Sequence, residues 1–168
     1  MAALVLAGGA VAGWNHHFRN LHTVEPRVLY RSGQLSRTGF TLTLRAREIK
    51  TVVTLRTVRD PTKPYLDEWE ADVCRERGIR HIRILPRPWL PDSDGRIPAE
   101  ESVRQFLEVI ENPENHPVLV HCFAGVHRTG VVCAAYRIRQ QGWSAERAIE
   151  EMEKHGFEPG PERAARVI

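Results

Sequence analysis

Residues 117–132 read PVLVHCFAGVHRTGVV. Val118 to Val120 form a short apolar run behind Pro117, the pattern of a strand buried on both faces. From Thr129 to Gln140 the chain has the length of a helix and is largely apolar in its first half. A buried strand that turns sharply into an apolar helix is one βα unit of a parallel sheet. Ligands of such sheets sit at the carboxyl ends of the strands. Here that place is held by residues 121–128.

A turn from strand to helix aims successive backbone N–H groups into one concavity, and the helix adds the positive end of its dipole. A thiol at the bottom of that cup ionises readily, with a pKa in the range of roughly 3.5–7.5. Cys122 is therefore the candidate nucleophile. The amides of Phe123, Ala124, Gly125, Val126, His127 and Arg128 are candidate donors to three phosphoryl oxygens. The Arg128 guanidinium adds a two-pronged donor that balances transition-state charge. Thr129 can donate its hydroxyl to the Cys122 sulfur. Gly125 lets the backbone turn. His121 is expected to support the loop from outside rather than act as a base.

Outward from this loop, strands and helices alternate. Val28–Tyr30 is a short strand, Ser36 caps a helix to about Glu48, and TVVTL (51–55) is a buried-type strand. Residues 65–77 carry helical periodicity through Leu66, Trp69 and Val73, and 81–85 form the next strand. Further helices are expected over 100–110 and after Ser144, with Ala145, Ala148, Ile149 and Met152 inward. The expected fold is α/β, a central mostly parallel sheet of four to five strands flanked by helices. Residues 86–98, PRPWLPDSDGRIP, make a long proline-rich loop, and loops of that size are usually functional.

The His-Cys-x-x-x-x-x-Arg-Thr-Gly loop with its strand and helix resembles that of the cysteine-dependent protein phosphatases. It is most similar to the compact dual-specificity-like tyrosine phosphatases of bacteria, plants and fungi. LYRSGQLS (29–36) and VVTLR (52–56) resemble the first two strands of that group, and the likeness runs from about Pro26 to Phe157. It implies a protein tyrosine phosphatase-like fold and two-step hydrolysis of a phosphomonoester through a phosphocysteine, without metal or other cofactor. It implies substrates among phosphotyrosine or phosphoserine/threonine proteins, and a general acid Asp about thirty residues before the cysteine. Asp92 is the first choice and Asp94 the alternative; whichever is not the acid is expected to be a turn-former. Trp89 either lines the pocket or pins the loop. Apolar Phe123 and Val126 stand where relatives that cleave inositol phosphates carry basic residues, which favours aryl phosphates. Phosphatases of inositol phosphates or phospholipid, a silent phosphate-binding module and a sulfur-transfer enzyme are the competing readings.

The remaining composition sets limits. The chain has 168 residues, 24 Lys+Arg against 21 Asp+Glu, and only Lys50, Lys63 and Lys154 as lysines. A net charge of +3 is too weak a signature for a nucleic-acid partner. Arg83, Arg87 and Arg96 are candidates for a basic rim. Cys74 is a candidate to trap oxidised Cys122 as a disulfide. MAALVLAGGAVAGW (1–14) has no polar side chain. At a spanning length of roughly 17–25 residues it is short; residues 1–20 read as a membrane anchor or signal remnant, with an ordinary packed N-terminus as the alternative, and 24–168 as the catalytic domain. Membrane attachment is slightly favoured over a cytoplasmic location.

Overall fold

The computed structural model describes residues 17–57, 65 and 67–158. In chain order they form β1 (His22–Glu25), β2 (Leu29–Ser32), α1 (Arg37–Ala46), β3 (Thr51–Thr54), α2 (Glu68–Glu76), β4 (Arg80–Arg83), α3 (Ala99–Glu111), β5 (Val118–His121), α4 (His127–Gln141) and α5 (Ala145–Lys154). The sheet order is β1-β2-β5-β3-β4. Strands β2, β5, β3 and β4 run parallel, and β1 joins β2 antiparallel. The α/β fold with a mostly parallel five-stranded sheet is thus the one the alternation implies.

Alternating side chains send each strand to two cores. On one face Leu29, Val53, Val118 and Val120 pack on Phe106 and Ile110 of α3 and on Val132 and Tyr136 of α4. On the other, Tyr30, Val52 and Leu119 pack on Phe40 and Leu44 of α1 and on Val73 and Cys74 of α2. Phe106 is fully buried, and such a side chain stabilises the fold by about 1.5–3 kcal/mol. Ser36 caps α1 through Gly39 N–H, and Ser144 caps α5 through Arg147 N–H. In α5, Ala148 and Met152 are buried, whereas Ala145 is exposed and Ile149 half-buried.

The register fixes where chemistry can occur. Ser32 pairs with His121, His121 with Thr54, and Thr54 with Arg83. All four parallel strands therefore end on one rung, and the loops after them leave from one edge. Two differences from the sequence reading matter. The first strand runs on to Ser32, which carries Arg31 into the interior. Residues 17–23 also belong to the folded unit: His17 Nδ1 lies 2.6 Å from Ser36 Oγ, and Asn20 bonds the 122–128 loop. The unit thus starts before residue 24. The apolar run 1–14 lies outside the described residues, and no described helix is long and apolar enough to cross a membrane.

Candidate active site

Cys122 follows the last residue of β5 and is buried. The loop curls over it: Gly125 N–H donates to Cys122 Sγ at 3.3 Å. Gly125 has φ +74°, and a Cβ there would stand 2.5 Å from the Gly33 nitrogen and 2.6 Å from the Ser32 carbonyl carbon. Both the conformation and the space exclude a side chain.

The loop carbonyls point away from the cysteine because donors outside the loop hold them. Phe123 O accepts from Gln34 N–H at 2.9 Å and from Arg19 Nη1 at 3.4 Å. Ala124 O accepts from Asn20 Nδ2 at 3.4 Å. Gly125 O accepts from Asn20 Nδ2 at 3.1 Å and from Arg31 Nη2 at 2.6 Å. In a trans peptide the N–H opposes the preceding C=O. Turning three successive carbonyls outward thus aims the amides of Ala124, Gly125 and Val126 inward. The first amides of α4, at His127 and Arg128, have no acceptor within their own helix. Together these donors form an anion cup.

Burial alone would push the Cys122 thiol up. The Thr129 hydroxyl, the amides of Thr129 and Gly125, and the charge on His121 outweigh it and leave the thiol below its ordinary value. His121 in turn is fully buried, which disfavours its charge, yet Glu70 Oε2 at 3.0 Å from Nε2 raises its pKa above the usual imidazole value. The side chains of Glu70, His121 and Cys122 thus stand in sequence, with Glu70 favouring the charged ring and the charged ring favouring the thiolate. Glu70 also accepts a short hydrogen bond from Gln34 Nε2, and Gln34 Oε1 accepts from Arg56 Nη1 at 2.6 Å.

Beneath the loop lies Arg31, 1% exposed, with Nε and Nη1 lacking hydrogen-bond partners. Among the described residues it makes no ion pair with a carboxylate. Burial and the Arg31 charge lower the pKa of both His22 and His155, with His155 down to about 4. The cation lies under the cup and bonds the loop through Gly125 O, where its charge favours any anion the loop holds.

Arg128 Nη1 donates to Leu55 O at 3.2 Å. The side chain borders a small hollow together with Leu55, Pro86, Arg87, Trp89 and Val132. Pro86, Arg87 and Trp89 of the 86–98 loop thus lie beside Arg128 at that hollow. Asp92 does not line that hollow; it borders a wider one together with Arg87, Arg96, Glu101 and Arg104. Asp92 Oδ1 accepts from Asp94 N–H and Arg96 N–H, both at 2.9 Å. Asp92 therefore forms a turn in this structure.

The expected basic rim is also redistributed. Arg83 is bound to buried Asp67 at 3.0 Å and lies over the Tyr65 ring, so it is not on the rim. Arg87 borders the hollow, while Arg96 makes a long contact with Asp94 at 3.9 Å. Cys74 belongs to the opposite face of the sheet from Cys122, and burial together with Glu70 pushes its thiol up to about 12. It cannot bridge to Cys122 in this fold.

Asn20, Arg31, Gln34, Glu70 and Arg56 escape the sequence reading. One signal was present for Glu70. It lies three residues before Val73 and four before Cys74, on the apolar stripe of α2, where a charge needs a buried partner.

Residues 9–166 match the family described as DSP-PTPase phosphatase fused to NAD+ kinase. The chain belongs to this phosphatase family. It is 32% identical over 138 residues to the dual specificity protein phosphatase TpbA of Pseudomonas aeruginosa, covering 82% of this chain and 55% of that protein. It is 34% identical over 127 residues to the putative tyrosine-protein phosphatase OCA1 of Kluyveromyces lactis, covering 74% of this chain and 57% of that one. The chain spans about half the length of the curated relatives it matches. The crystal structure of TpbA superposes with TM-score 0.64 at 28% identity, covering 88% of this chain and 83% of that one. The catalytic core of the Saccharomyces cerevisiae PP-IP phosphatase SIW14 gives TM-score 0.67 at 22% identity over 89% and 83%, a likeness of fold alone. The parallel sheet, the loop at its edge and the family agree.

Proposed function

We propose that this domain hydrolyses phosphomonoesters through a phosphocysteine, with phosphotyrosine in proteins as the leading substrate and phosphoserine/threonine beside it. The observation that carries the reading is Cys122, whose thiol is held below its ordinary pKa despite burial, under a loop with its amides aimed inward. TpbA has a crystal structure in complex with phosphotyrosine, which supports an aryl phosphate as the reacting group.

The Cys122 thiolate attacks phosphorus; the S–P bond forms as the O–P bond to the leaving group breaks. Loop amides and Arg128 hold the three equatorial oxygens, whose charge is spread in the transition state. An Asp of the 86–98 loop gives its proton to the leaving oxygen. Water then attacks the phosphocysteine, the S–P bond breaks, and the same Asp takes the water's proton. The thiolate leaves with help from Thr129.

For the acid, the turn role of Asp92 shifts our preference to Asp94. Asp92 Oδ1 is engaged by two amides, whereas Asp94 holds only its long contact with Arg96. Asp94→Asn should lower kcat/KM on poor leaving groups by about 10²–10⁴-fold, and the loss should shrink with acidic phenols. If Asp92→Asn alone gives that pattern, the sequence-based choice stands.

Turnover of p-nitrophenyl phosphate that vanadate inhibits and Cys122→Ser abolishes tests the whole reading. A protein that binds phosphate without turnover would be a silent module. Turnover of thiosulfate with cyanide in its place would make it a sulfur-transfer enzyme. The apolar run 1–14 supports attachment of the domain to a membrane. Deleting those residues should then release the protein from sedimented lipid vesicles; unchanged partition would remove the anchor reading.

A further inference from the structure

Phe123 is the residue after the nucleophile, on the loop that forms the cup, and it is 58% exposed. The sequence suggests that an apolar side chain there makes the mouth less cationic. The structure reverses that expectation. The Arg19 guanidinium lies 4.7 Å from the ring centroid and the Arg56 guanidinium 5.5 Å. Both distances are within reach of a cation–π contact, about 6 Å. The ring is a platform for two cations.

Among the described residues neither cation has a carboxylate partner. Among the described residues Arg83, Arg104 and Arg137 have carboxylate partners at hydrogen-bond distance, but no ion pair involves Arg19 or Arg56. Arg56 is also positioned in advance. Its Nη1 donates to Gln34 Oε1, and Gln34 is fixed by Glu70, which is fully buried. Arg19 spends one nitrogen on a long 3.4 Å contact to Phe123 O. A guanidinium is weakly hydrated and matches carboxylate or phosphate with two parallel donors.

We propose that Arg19, Phe123 and Arg56 form a second anion subsite at the mouth of the cup, which takes a carboxylate or phosphoryl group carried by the substrate close to its scissile phosphomonoester. The proposal rests on the phosphatase reading for what occupies the cup. It deepens that reading by naming the substrate class: phosphomonoesters with an anionic group beside the reacting phosphate, from an acidic peptide flank or from a second phosphate on a small molecule. A lone aryl phosphate fills only the cup.

Two arms test it, each read as a ratio so that general damage to the loop cancels. In the first, phosphotyrosine peptides with Glu or with Gln beside the phosphotyrosine are compared by kcat/KM. Wild type should prefer the Glu peptide by about tenfold, equivalent to about 1.4 kcal/mol. The preference should fall as salt screens the contact. Arg19→Met combined with Arg56→Met keeps side-chain length without charge and should bring the ratio to about one. In the second arm, calorimetry on Cys122→Ser protein compares inorganic pyrophosphate with phosphate, with and without the two Met substitutions. Loss of preference in the peptide arm assigns the acidic-peptide source. Loss confined to pyrophosphate assigns the small polyphosphate source. If the substitutions leave both ratios unchanged, the subsite does not exist. Failure of wild type to turn over p-nitrophenyl phosphate would refute the phosphatase reading instead, and calorimetry would still decide the subsite.

Discussion

Replacing Arg31 by Met separates an arginine that shapes the anion cup from one that merely fills the core. Arg31 is buried, and its Nη2 donates to Gly125 O at 2.6 Å. A hydrogen bond from a charged donor contributes about 1.5–3 kcal/mol. At 1.4 kcal/mol per decade, losing it in the transition state alone costs about 10- to 150-fold in kcat/KM. Asn20 still holds the same carbonyl at 3.1 Å, so the loop loosens without collapsing, and we expect a loss of about 10- to 100-fold. Stability is a poor readout here. Met removes a buried charge, which is favourable, and also removes the hydrogen bond, which is not.

The assay is kcat/KM on p-nitrophenyl phosphate across pH, beside alkylation of Cys122 by iodoacetate across pH. Alkylation reports the thiol's ionisation directly. As Gly125 N–H drifts from Sγ, the apparent pKa of Cys122 should rise. Arg31→Lys keeps the charge but loses the planar fork, and should recover part of both losses. Arg31→Met that folds cooperatively, acts within twofold of wild type and alkylates on the same pH curve would refute the reasoning.

Four further outcomes follow from the same geometry. Gly125→Ala puts a methyl 2.5 Å from a backbone nitrogen at positive φ, so activity and phosphate binding should drop by orders of magnitude; near-normal calorimetric phosphate binding would contradict it. Glu70→Gln removes the charge that raises the His121 pKa. Stabilisation by a raised imidazolium is full below pH 6.5 and lost as pH climbs through the folded pKa, so this variant should lower Tm most on the acid side, and a uniform drop would argue against the pair. His155, neutral in the fold down to about pH 4, makes the protein lose stability as pH falls from about 6.5 to about 4; His155→Gln should flatten the Tm profile in that window, and an unchanged slope would acquit it. Arg128→Lys keeps charge without the fork and should cost orders of magnitude in kcat/KM, a reading that loss of only a few-fold would overturn.

The nucleophilic loop was legible because its parts are contiguous: strand, cysteine, glycine, arginine and helix start fall within sixteen residues, 117–132. Its scaffold was not. Arg31 reaches Gly125 across 94 positions and Asn20 across 105, and no periodicity reports such contacts. Hydropathy also misplaces Arg31 and Glu70, because it assigns charged residues to the surface unless a partner is known. Strand β1, His22–Glu25, carries only one fully buried residue, Val24, so its edge position leaves little apolar signal. Asp92 and Asp94 differ by two places in a segment whose composition suits a turn at either, and only the hydrogen bonds separate them.

Gln34 shows why the loop, the buried charges and the rim behave as one unit. Its backbone N–H holds Phe123 O, its Nε2 donates to Glu70, and its Oε1 accepts from Arg56. The amide cannot be reversed: a flip would face its NH₂ towards the guanidinium and its oxygen towards the carboxylate, losing both bonds. Glu70 in turn faces His121 beside the nucleophile. One glutamine therefore ties the Glu70–His121 pair, one of the groups that lower the Cys122 pKa, to the cation at the loop's rim. Gln34→Glu should break the arrangement more severely than Gln34→Ala, because it sets a second carboxylate against the buried Glu70 while keeping an acceptor for Arg56. Ala deletes both contacts but adds no charge. Measured on phosphotyrosine peptides, Gln34→Ala should reduce the preference for acidic flanks together with kcat. Gln34→Glu should also raise the Cys122 alkylation pKa by adding negative charge near the thiolate. Independent responses of the flank preference and kcat in Gln34→Ala would show that the rim and the nucleophile are separate devices.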